Sequence, residues 1–163
     1  MILGMTTQVF TLLHVIISLA GIAAGLIAIL ALGANKLSTL TGFFLSTTAL
    51  TSITGFLFPF HGVTPGIILG ILSMIVLLLT AIALYAGRLN GWWRGVYIIS
   101  ATLALWFNVF VLFAQLFAKV PALKAIAPTQ SSPVFGATQL VVLAAFIVLT
   151  IGSLKGFRGA SPA

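Results

Sequence analysis

Five long apolar runs occupy most of the sequence, at about 9–32, 40–58, 66–85, 93–118 and 135–154. A helix needs about 20 apolar residues to cross a hydrocarbon core of about 30 Å. Five such runs in 163 residues predict an all-α, polytopic transmembrane helix bundle, with residues 1–163 as one transmembrane domain. The count falls to four spans if one segment only lies at the interface. Composition agrees, because 61% of the residues are apolar and only 4% charged, a balance that a water-soluble fold neither needs nor tolerates. No Lys or Arg precedes the first run, so the basic start of a cleavable signal peptide is missing and the first span is expected to be retained.

The run boundaries carry helix punctuation. Gly33 and Asn35 follow the first run, and Pro59 stops the second. Thr64 before Pro65 and Ser132 before Pro133 each give a candidate N-cap and first turn. The outer loop at about 119–134 contains Pro121, Pro128 and Pro133, which break a continuous helix and predict a structured cap or short interfacial segment.

The chain has no Asp, Glu or Cys. Without carboxylates there is no Ser-His-Asp triad, no paired-carboxylate hydrolysis, no carboxylate cage for Mg²⁺ or Ca²⁺ and no acidic proton relay. Without thiols there is no disulfide, iron–sulfur cluster or thiolate nucleophile. These absences weigh against an enzyme. The net charge of +7 is split among membrane-edge loops, which favours anionic lipid head groups over nucleic acid.

In a five-span chain Lys36, Arg88, Arg94, Lys155 and Arg158 share one side, and Lys119 and Lys124 share the other. Basic residues near span ends stay on the cytoplasmic side, so the expected orientation is N-terminus outside and C-terminus cytoplasmic. Trp92, Trp93 and Tyr97 then fall near the cytoplasmic interface as anchors.

Along the first run Thr7, Thr11, His14, Ser18, Gly21, Gly25 and Ala28 recur at alternating spacings of four and three, forming one polar and small stripe. In lipid such a stripe is expected to face other helices. The fourth run repeats the spacing through Arg94, Tyr97, Ala101, Ala104, Asn108, Val111 and Gln115, which places Asn108 and Gln115 inside. Thr51 and Gly55 in the second run, and Gly66 and Gly70 in the third, extend the packing set of Ser18, Gly21 and Gly25.

His14 lies about 8 Å below the outer end of the first span by helical rise, and His61 lies at that same end. With Asn108, Gln115 and Gln130 they outline a candidate ligand or cofactor pocket, ringed by Phe58, Phe60, Trp106 and Phe107. His14 and His61 are candidate axial ligands of a haem, or copper ligands together with Met1 and Met5. A quinone or lipid hydrogen-bonded by His14 or Gln115 fits the same outline. The commoner role of a histidine in a bundle is a hydrogen-bonded structural one.

The run from Thr47 to Phe56, continuing through Phe58-Pro59-Phe60, together with Lys119-Val120-Pro121-Ala122-Leu123 and Ala127-Pro128-Thr129-Gln130, resembles small uncharacterised bacterial multi-span inner-membrane proteins. The resemblance implies a bacterial inner-membrane location and carries no activity to any residue. The expected role is a non-enzymatic accessory or scaffolding component, as a homo-oligomer or part of a larger membrane complex. A small redox or ligand-binding bundle using His14 and His61 is one alternative. A pore or small-solute transporter lined by the Thr-rich second run is the other.

Overall fold

The computed structural model describes residues 1–59 and 65–158. The described elements are helical: α1 (Thr7–Gly33), α2 (Thr41–Phe56), α3 (Pro65–Ala81) continued by a π-helical turn (Ile82–Ala86), α4 (Trp93–Lys119), a short α5 (Pro121–Ile126) and α6 (Pro133–Gly156). Among the described residues the one β feature is an isolated bridge between Ile2 and Met5.

Four helices are long and apolar enough to cross a membrane: α1, α3 with its π turn, α4 and α6. The expectation of five spans is therefore corrected to four. The run at 40–58 yields only the 16 residues of α2, about 24 Å by helical rise, because the chain is still turning at Leu40 and leaves the helix at Leu57, ahead of Pro59. α2 is nevertheless not laid flat on the bundle. Its Phe44 stands at the level of Gly25 and its Thr54 at the level of His14, so it runs antiparallel to α1 within the depth that α1 occupies.

Several boundaries follow from local chemistry. Thr6 caps α1 by accepting from the Val9 N–H at 3.3 Å, which starts the helix two residues before the apolar run. Ser132 stands at the N-cap of α6 with Pro133 in its first turn, but its hydroxyl accepts from the Thr129 N–H at 3.2 Å and folds the loop before α6 instead of capping the helix. Val120 is extended before Pro121, as the steric clash with a following proline demands, and this separates α4 from α5. Thr64, expected as a cap of α3, lies outside the described residues.

α4 is the central helix, with 50% of its apolar window buried against 17% for α6 and 22% for α3. Its Tyr97, Ile98, Ala101, Ala104 and Leu105 are fully enclosed among Ile29 and Leu32 of α1 and Phe44 of α2. Two close approaches set the packing. A Cβ on Gly25 would lie 2.7 Å from both Leu105 and Phe44, so only glycine admits these side chains against α1. At the end of the bundle, Gly156 of α6 rests against the backbone carbonyl of Gly33 in α1. The opposite faces carry Leu12, Ile16, Leu30, Leu78, Leu140, Val141 and Val148 exposed, which suits a bilayer and not water as solvent.

Candidate functional site

His14 projects from α1 toward α2, where its Nδ1 lies 2.7 Å from the Thr54 hydroxyl. Thr54 has one proton and gives it to the Leu50 carbonyl at 2.7 Å, the bond usual for a helical threonine. Its oxygen is then left to accept from an Nδ1–H, which is the tautomer that leaves Nε2 unprotonated. The ring is held further by Phe58, edge-on at 5.3 Å between centroids, and Phe58 in turn packs edge-on against Phe10 at 5.1 Å. Gly55 leaves room beside it, since a Cβ there would stand 3.7 Å from the imidazole Cε1. Below His14, Ser18 donates to the His14 carbonyl at 2.7 Å and Gly21 lies against Thr47 and Thr48.

The other sequence candidates are distributed apart from this histidine. Asn108 is half-buried and donates from Nδ2 to the Thr48 hydroxyl at 3.2 Å, joining α4 to α2. Gln115, expected inside, is exposed, because the stripe on α4 turns out of the bundle as the helix passes Val111. Gln130 is exposed in the loop between α5 and α6 and lines a recess of about 50 Å³ with Phe117, Ala127 and Phe135. His61, and with it the second metal or haem ligand, lies outside the described residues, as does Phe60. A wider recess of about 380 Å³ opens between Met1, Leu3 and Thr7 on one side and Leu57 and Pro59 on the other. Neither recess is lined by His14, Asn108 or Gln115.

The glycines of the packing set also divide. Gly70 admits the ring of Phe56, 2.7 Å from where a Cβ would stand, and so seats α3 on α2. Gly66 is exposed in the first turn of α3. Thr51 returns its hydroxyl to the Thr47 carbonyl at 2.9 Å.

Three polar contacts escaped the sequence reading. Thr80 donates to Ser100 at 2.8 Å across α3 and α4. Ser153 donates to the Ile29 carbonyl at 3.2 Å across α6 and α1. Gln139, 8% exposed, donates from Nε2 to the Phe110 carbonyl at 3.2 Å across α6 and α4. Gln139 was legible in principle, as the one side-chain amide within the sixth helix, where a polar group in hydrocarbon needs a partner. The serine and threonine contacts carried no such signal, because a hydroxyl satisfies itself on its own helix equally well.

No family model matches the chain, and no curated protein sequence and no solved structure matches it.

Proposed function

We propose that this chain is a non-enzymatic integral membrane component, an accessory or scaffolding bundle that works by presenting a rigid helical body to neighbouring membrane proteins. One observation carries the reading: five interior polar side chains each join one helix to another. His14 reaches Thr54, Asn108 reaches Thr48, Thr80 reaches Ser100, Gln139 reaches the Phe110 carbonyl and Ser153 reaches that of Ile29. Groups so used hold a body together and are not displayed to a substrate. The location that goes with it is a bacterial inner membrane, with the end bearing five cations in the cytoplasm. Native mass spectrometry of the protein released gently from its own membrane tests the role. A defined homo- or hetero-oligomer supports it, and a monomer carrying a stoichiometric cofactor overturns it.

A second reading, a ligand or haem site at His14, draws on the tautomer that donates from Nδ1 to Thr54, which leaves Nε2 able to accept or ligate. It requires a cofactor-sized mass increment that disappears in His14→Ala. The transporter reading has less support, since Thr47, Thr51 and Thr54 all donate to carbonyls of their own helices. Orientation is open to single-cysteine labelling, because the natural chain has no cysteine to remove. Cysteines at Thr39 and Asn90 should react with an impermeant maleimide only from the cytoplasmic side, and one at Thr129 only from outside.

A further inference from the structure

The end of the bundle where α1 and α6 finish and α4 begins collects five of the seven basic residues. Asn35 accepts from the Arg158 N–H at 2.8 Å, which brings Lys36 and Arg158 to one point of the rim. The Gly33–Gly156 contact sets Lys155 beside the same point. Gly87 lies against the ring of Trp93, which brings Arg88 and Arg94 together at another point. Lys36, Arg88, Lys155 and Arg158 are exposed and Arg94 is half-buried. The chain contains no Asp or Glu, so none of these cations has a side-chain counter-ion within its own protein. The charges must be balanced from outside.

Two features select the source. The cations sit on the link after α1, the link before α4, the first turn of α4, the last turn of α6 and the segment just past it, so they are spread around the rim and not along one strip that a single peptide could cover. Among them the rings of Trp92 and Trp93 stack at 4.1 Å and 27°, with Trp92 68% exposed. A stacked indole pair, its Trp92 ring exposed and its Trp93 ring half-buried, beside cations at a span terminus matches the head-group level of a bilayer, where the ring stays amphipathic and the cations meet phosphates. Each Lys or Arg near an anionic leaflet adds to the attraction.

We infer that this end of the bundle is an anionic-lipid contact surface, which enriches acidic phospholipid around Lys36, Arg88, Arg94, Lys155 and Arg158 with Trp92 and Trp93 at head-group depth. The inference concerns the leaflet and does not rest on the accessory role or on its partners.

The test is Trp fluorescence of the full-length protein in phosphatidylcholine vesicles, with Trp106→Phe introduced so that only the rim pair emits. Brominated phosphatidylglycerol and brominated phosphatidylcholine are compared as quenchers at equal mole fraction. The expected result is a preference for the acidic lipid of about fivefold, lost in about 1 M salt, where the Debye length shrinks to about 3 Å. The combined variant Lys36→Gln, Arg88→Gln, Lys155→Gln, Arg158→Gln should abolish the preference, and Lys119→Gln with Lys124→Gln should leave it intact. Equal quenching by the two lipids overturns the inference, and so does a preference that survives the fourfold substitution. Retained helical circular dichroism in the fourfold variant separates a lost surface from a lost fold.

Discussion

Asn108 and Thr48 show how much depends on where a hydroxyl sends its bond. Thr48 accepts from Asn108 across the helix boundary, whereas Thr51, one turn on, only returns its proton to the Thr47 carbonyl. Replacing Thr48 by Val should orphan a half-buried amide and cost about 1–2 kcal/mol, while Thr51→Val should stay within about 0.5 kcal/mol. Unfolding in mixed micelles, read by circular dichroism, checks both. The two threonines stand three positions apart in one Thr-rich run, and the sequence reading placed Thr51 in the packing set where the structure gives the inter-helix bond to Thr48. His14 is different. Its place in a stripe of small and polar residues announced that it faces another helix, but the partner Thr54 lies 40 positions away and depended on how α2 is seated. Gln115 marks the limit of the same argument, since a helical stripe extrapolates straight while the bundle face beside it ends.

Among the elements, the long apolar runs were the legible part, because bilayer thickness dictates their length and proline and glycine mark their ends. α2 departs from that pattern for an energetic reason: hydropathy counts the apolar residues of a run, but the helix stops where backbone bonding stops, at Phe56, and the remainder of the run serves as a link. The pairing of elements was less legible still. The docking of α6 on α1 depends on Gly156 meeting the Gly33 backbone, a contact between positions 123 apart that no local pattern encodes. Backbone cannot retreat as a side-chain tip can, so Gly156→Ala should destabilise the bundle by about 1–3 kcal/mol. Gly152→Ala, one turn earlier and facing open space, should be neutral or stabilising by about 0.5 kcal/mol through helix propensity alone. Comparing thermal unfolding of the two variants separates the effect of close packing from that of glycine content.

For the molecule as a whole, the absence of carboxylates reaches beyond the chemistry it excludes. Acid unfolding in ordinary proteins comes mainly from carboxylates that must be protonated out of native pairings. This chain has no side-chain carboxylate, so among side chains only the histidines remain to gain protons on acidification. A His14→Gln, His61→Gln variant in uncharged detergent should therefore hold its unfolding free energy constant to within about 0.5 kcal/mol between pH 7 and pH 2. A steep fall in that range would show that the bundle depends on some other titrating group.

The contact of α6 with α1 also imposes an order in time. The face of α1 that carries Ala28, Ile29 and Leu32 is enclosed in part by α6, whose Ser153 bonds the Ile29 carbonyl. During synthesis that face is exposed to lipid, with its neighbour still unmade, until more than a hundred further residues have been inserted. The hairpins of α1 with α2 and of α3 with α4 join nearby stretches of chain and can form as they emerge. Closure of the bundle waits for the last long helix, so ribosome-bound chains cut short before Gly156 should be trimmed by membrane proteases while the closed bundle resists them.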